Sequence, residues 1–222
     1  MIYTFAVLQN PLKAVPSPSP VNGHYFGGEL GTSLGLVSPR FARILTLDLE
    51  DPLLGFLRFT GLRELPLLMD FERGCISYTV FENGSVKLYG PSESKPETLL
   101  HEMSSTKSSF RLEAIPYEEY RAAVFAQSVF QDYLKPEDKE SLGRLGESYT
   151  QVGGHHARAQ GYQPYCGNPK CEGHGTQVTI LLATIAQEPA VDVSLAFLPY
   201  DPAVEFSFCQ NCHAIQGSIV AD

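Results

Sequence analysis

Two cysteine pairs lie near the end of the chain. Cys166 and Cys171 have four residues between them, and Cys209 and Cys212 have two. Close pairs set apart in a sequence can bring four thiolates around one tetrahedral cation, each pair on its own tight turn. Gly167 and Pro169 in the first pair and Asn211 in the second are turn-forming residues. Four thiolates complete a zinc tetrahedron and leave no position for water or substrate, so the spacing reads as a structural zinc site. His174 and His213 are rival ligands, because Cys171-Glu-Gly-His174 has a spacing that lets His174 replace a cysteine. A redox dithiol is the other chemistry open to Cys-x-x-Cys, but that use wants the first cysteine at a helix N-terminus. Here Phe206-Ser-Phe-Cys209 reads as a strand end. The fifth cysteine, Cys75, falls in the strand-like run Gly74-Cys-Ile-Ser-Tyr-Thr-Val-Phe and reads as a buried small hydrophobe.

His155 and His156 follow Gly153-Gly154, with Arg158 close by. Adjacent histidines on a strand point to opposite faces and rarely chelate one metal together. They and Arg158 are candidate ligand contacts in a groove, with Arg158 as an anion handle, set against the plainer reading of an exposed turn. Paired glycines let a backbone or ligand approach closely, and they serve a tight turn equally well. No G-x-S-x-G, Walker A loop, H-E-x-x-H or dinucleotide fingerprint is present, and Asp48, Glu50 and Asp51 read as strand-end charges.

These groups must be held by strands and turns. Arg40–Leu49 reads as a strand stopped by Glu50-Asp-Pro52, and Ala14–Pro20, with its alternating prolines, as an extended connector. Leu53–Phe59 and Leu65–Phe71 are apolar runs that fit either a strand or a short buried helix. Cys75–Phe81 and Ser85–Tyr89 flank Asn83-Gly84, the signature of a β-hairpin. Residues 91–109 read as a polar surface excursion. Residues 117–134 carry the i, i+3, i+4 stripe of a helix, Ala122, Phe125, Val129 and Tyr133, after Pro116. From Gln151 the pattern returns to strands, at 177–185, 191–197, 205–208 and 214–220.

The 222 residues are enough for a real core, and 43% hydrophobic with 18% charged residues indicates a globular chain. A net charge of −9 without a basic run opposes binding to a phosphate backbone. No apolar stretch is long enough to span a bilayer, and Met1–Asn10 lacks a basic start or cleavage site, so the expected location is cytoplasmic. A reducing compartment favours thiolate–metal sites over disulfides.

The two halves share an order of parts. Phe26-Gly-Gly28 precedes the run Ile44–Pro52, and Val152-Gly-Gly154 precedes Ile180–Pro189; both runs end in an acidic residue and proline. The longer spacing in the second half matches the stretch that holds the first cysteine pair, as in a duplication with a metal turn added to the second copy. Together with "ILLATIAQEP", "FSFCQNCHAIQ" and the Gly153, Gly154 and Gln160 positions, this pattern resembles the YwqG-like family of bacterial proteins, a group largely without assigned function. Leu30 and His156 stand where that family has proline, and the first cysteine turn is two residues longer. The resemblance implies a β-rich single domain with pseudo-twofold halves and says almost nothing about activity.

The expected architecture is therefore α+β, mostly β: one domain over residues 1–222 with two diverged β-rich halves, 24–90 and 150–222. A helical connector at 116–145 joins them, and the C-terminal part is like a zinc ribbon. Zinc is the expected cofactor, held by Cys166, Cys171, Cys209 and Cys212. The expected role is that of a non-catalytic binding or interaction protein, in its specific version one that masks or regulates a protein partner, with no nucleic acid and no membrane. The alternative is an enzyme with a cleft between the halves, near the Gly-Gly turns, His24, His155 and His156.

Overall fold

The computed structural model describes residues 12–19, 21–28, 41–70, 73–89, 107–116, 150–153, 166–175, 179–185 and 203–220. Its strands are β1 (Leu12–Pro16), β2 (Tyr25–Gly27), β3 (Phe41–Asp48), β4 (Glu64–Asp70), β5 (Cys75–Val80) and β6 (Val86–Tyr89). They continue with β7 (Lys107–Ala114), β8 (Gln151–Val152), β9 (Thr179–Ile185), β10 (Ala203–Cys209) and β11 (Ile215–Val220). All join one antiparallel sheet in the order β4-β3-β2-β7-β1-β8-β9-β10-β11-β5-β6. The fold is mostly β, as the turn-rich composition implies. The helix expected over 117–134, the rest of the connector to 145 and the strand expected over 191–197 lie outside the described residues.

Period-two patterning decides which face is core. Phe110 and Leu112 of β7 and Val204, Phe206 and Phe208 of β10 enter one buried cluster with Leu45, Leu47, Leu67 and Val152. Asn83-Gly84 makes the β5–β6 turn, with Gly84 at φ 77° and Asn83 Oδ1 accepting from the Ser85 amide at 3.0 Å. The first ambiguous apolar run becomes a 3-10 helix, Pro52–Thr60, and the second becomes β4. Asp51 caps that helix: its Oδ1 accepts from the Leu53 amide at 2.8 Å, and Gly61 closes the other end at φ 72°.

Three readings of the sequence change. Lys107–Ala114, whose first residues read as part of a polar excursion, is a central strand between β2 and β1; its serines and charges alternate with Phe110 and Leu112, so a two-faced strand carries the composition of a loop. The proline-rich segment at 14–20 begins inside β1, which pairs with both β7 and β8. Cys75 is exposed rather than buried, because Ile76, Tyr78 and Val80 take the inward positions of β5.

The sheet curls until the β4 edge meets β5, and Tyr78 fills the seam. Its hydroxyl accepts from the Leu68 amide at 2.8 Å and donates to the Pro66 carbonyl at 3.0 Å, in a fully buried site. Burial pushes this phenol far above its ordinary value, with the Leu68 amide acting weakly the other way. The folded state therefore keeps Tyr78 neutral where an unfolded chain ionises it. That contribution to stability is full below about pH 10 and is lost as pH rises beyond it. Tyr78→Phe is expected to cost about 1–3 kcal/mol in urea unfolding at neutral pH and to flatten the alkaline loss of stability by one proton; an unchanged midpoint and slope would count against the seam role.

The arrangement at either side of the β7–β1 pair repeats. Phe26 of β2 pairs with Leu45, which follows the bulged Ile44; Val152 of β8 pairs with Ala183, which follows the bulged Leu182. The next residues, Gly27 at φ 64° and Gly153 at φ 71°, both turn left-handed. Thr46 lies between Tyr25 and Pro66 in register, and Thr184 lies between Gln151 and Glu205.

Candidate metal centre

Strand β10 delivers Cys209 to the end of the sheet, and the chain then turns back tightly. The Cys209 amide donates to the Ala214 carbonyl at 2.8 Å, and the His213 amide donates to the Cys209 carbonyl at 2.9 Å. His213 takes φ 60°, the one positive φ of a non-glycine residue among those described, and this left-handed step lets β11 start at Ile215. The turn carries Cys212 back over Cys209.

The first pair sits on a compact loop. The Asn168 side chain accepts from the Lys170 amide at 3.0 Å, its carbonyl accepts from the Cys171 amide at 3.0 Å, and the Cys171 carbonyl accepts from the His174 amide at 2.9 Å. These are the Asx and β-turn bonds that Asn and Pro favour. Gly167 lies against Ser77 of β5, where a larger residue would have no room. The loop is thereby seated on the sheet next to the β10–β11 turn.

The two turns meet. Sγ atoms of Cys166, Cys171, Cys209 and Cys212 all lie within 4.8 Å of one another. Cys166 and Cys212 are 3.5 Å apart and Cys171 and Cys209 3.8 Å apart, so none is at the disulfide distance of about 2.05 Å. A zinc–sulfur bond of about 2.3 Å implies sulfurs separated by about 3.8 Å along a tetrahedron edge. The separations of 3.5 and 3.8 Å lie close to that figure. Burial pushes the Cys166 and Cys209 thiols above their ordinary value. Burial raises Cys212 too, but the Ala214 amide, the Asn168 side chain and the neighbouring sulfurs outweigh it and leave this thiol below the ordinary value. Four thiolates this close need a cation between them, and a coordinated metal would reverse the cost of ionising the buried pair.

The rival histidines are accounted for. His174 Nδ1 sits 2.8 Å from the Cys166 carbonyl oxygen, so it donates there and braces the loop from behind. His213 stacks on Phe208, with ring centroids 5.5 Å apart and planes 17° apart. Both serve the turns that carry the sulfurs. The second pair is on a β-hairpin turn, and the first is on a loop whose β contact is a single bridge, Cys166 to His174. A cavity of about 530 Å³ opens beside the centre, with Leu62, Leu65, Phe81, Phe208, Cys212 and His213 among its walls.

A second polar cluster escaped the sequence reading. His24 is completely buried; its Nε2 lies 2.8 Å from Asp51 Oδ2, and its Nδ1 accepts from the Asp48 amide at 3.0 Å. A ring that accepts at Nδ1 must donate at Nε2, so His24 is a neutral imidazole with both nitrogens in use. Asn22 donates to the same Asp51 oxygen at 2.7 Å, and Asp48 Oδ2 accepts from the Gly23 amide at 2.8 Å. The strand-end acids thus anchor the β2 approach to β3, and His24 is not placed to act as a general base. The signal available was Asp51-Pro52, a helix cap that leaves one carboxylate oxygen for another partner. His155, His156 and Arg158 lie outside the described residues.

No helix among the described residues is long and apolar enough to cross a membrane. No protein-family model matches the chain, and the searches of curated proteins and of solved structures found no match.

Proposed function

We propose that this chain is a non-catalytic binding protein of the cytosol whose C-terminal part is clamped by one structural zinc ion, and that it masks or regulates a protein partner. The carrying observation is the closed set of four sulfurs, Cys166, Cys171, Cys209 and Cys212, gathered within 4.8 Å. Such a set fills a tetrahedron and leaves no open position for chemistry. Zinc fits better than a harder cation because every donor is sulfur.

The halves belong, on this reading, to a duplicated chain of the YwqG-like type. The mirrored strand order around β7 and β1, the matching bulges at Ile44 and Leu182, and the left-handed Gly27 and Gly153 support it. The alternative, an enzyme with a cleft between the halves near the Gly-Gly turns, His24, His155 and His156, gains nothing from a His24 whose two nitrogens are both occupied. The net charge of −9 suits a partner with a basic surface. Immobilised metal-loaded chain is expected to retain a basic protein that elutes as salt is raised. A column that retains no protein, alongside turnover of a small molecule by the same preparation, would replace this reading with the enzymatic one.

A further inference from the structure

The cysteine cluster has an access route that a purely structural site does not need. Cys212 lines the cavity of about 530 Å³ beside the centre. Cys166 and Cys209 are fully buried, whereas Cys171 and Cys212 are only partly so. Each turn thus carries one enclosed sulfur and one that solvent reaches. A small oxidant that enters the cavity meets Cys212 first.

Sulfur chemistry suits that position. Four thiolates leave a metal no open position, but each sulfur keeps lone pairs and remains a nucleophile. Two contacts cross between the turns, Cys166 to Cys212 at 3.5 Å and Cys171 to Cys209 at 3.8 Å. Closing them to the disulfide distance takes about 1.5 and 1.8 Å. In each contact a partly buried sulfur faces a fully enclosed one. That is the arrangement of a thiol that is oxidised and a second thiol that resolves it.

We infer that this centre is an oxidation site for hydrogen peroxide, and that its product is a pair of disulfides, Cys166–Cys212 and Cys171–Cys209. The inference rests on the zinc reading above. The Cys212 thiolate attacks one peroxide oxygen, the O–O bond breaks, and hydroxide leaves and takes up a proton to become water. Cys166 then attacks the sulfenic sulfur of Cys212; the S–S bond forms, the S–O bond breaks, and a second hydroxide leaves and is protonated. Two thiolates have lost one electron each, and one peroxide has become two waters. Only Cys171 and Cys209 are then left to hold the cation, and a second peroxide converts them in the same way. In all, two peroxides and four protons are consumed, and four waters and one divalent cation are released. Both disulfides tie the first cysteine loop to the β10–β11 turn, so the join between them outlasts the metal.

The test adds hydrogen peroxide to the zinc-loaded full chain carrying Cys75→Ser, which removes an exposed thiol outside the cluster that would consume oxidant. A chromogenic chelator reads the zinc set free, and peptide mapping without reductant reads the links. One zinc is expected for every two peroxides consumed, with Cys166–Cys212 and Cys171–Cys209 recovered. The unaltered chain should give the same two links. A dithiol should reverse both and let zinc return. The oxidised, metal-free chain should keep most of the loaded form's urea midpoint, while the reduced chain stripped by a chelator loses it. Links inside the pairs, Cys166–Cys171 or Cys209–Cys212, or a sulfinic acid at Cys212 with no link, would overturn the proposal and leave the zinc reading standing. A chain that carries no zinc before peroxide is added would overturn the zinc reading itself, and the proposal with it.

Discussion

Serine at Cys209 is expected to empty the metal centre. Native mass spectrometry of the unaltered chain, purified without added metal, should show a single zinc, and Cys209→Ser should show essentially none. Cys209 is fully buried at the end of β10, so the change removes a ligand and leaves three thiols crowded around a lost cation. The stability cost is expected on the order of 4 kcal/mol, the scale at which loss of a structural metal falls. It should appear as a lower urea midpoint, and a chelator should reproduce it in the unaltered chain. His174→Gln is the control: His174 braces the Cys166 carbonyl, so this variant should keep its zinc. Metal-free protein as stable as the loaded form, or zinc lost equally from the His174 variant, would sink the four-cysteine assignment.

His24→Ala is expected to be nearly as damaging without touching the metal. The substitution strands the Asp48 amide, takes a donor from an Asp51 that is 2% exposed, and removes a ring stacked on Phe110 at 5.3 Å. Unsatisfied buried groups and a cavity together come to about 3–5 kcal/mol. The zinc content should stay at one. His24→Gln, whose amide offers both a donor and an acceptor, should recover part of the loss. A cost below about 1 kcal/mol for the alanine variant would show that the cluster merely accompanies the fold.

Local chemistry was the legible part of this sequence. Cys166, Cys171, Cys209 and Cys212 announce themselves because ligand spacing and turn residues are short-range features, and Asn83-Gly84 marks its hairpin for the same reason. The strands β3, β5, β10 and β11 follow from alternation. What stayed hidden depends on distant partners. Lys107–Ala114 looks polar until β1 and β2 flank it and cover Phe110 and Leu112. Cys75 shares a strand with residues that face the core, and only the register with β11 shows that it faces out. His24 and Asp51 are 27 residues apart, and nothing in either neighbourhood names the other.

The strand order has a consequence for how the molecule can be made. β1, from the start of the chain, lies between β7 and β8, and β7 lies between β2 and β1. Early and late segments are thus interleaved at the centre of the sheet, and β5 and β6 are added beyond β11 at its far end. A nascent chain that has emerged only as far as β6 holds a strand whose neighbours do not yet exist, and its unpaired edges stay open to other chains. Closure of the sheet must wait until β11 has left the ribosome, which favours slow, all-or-none assembly over stepwise growth from either edge.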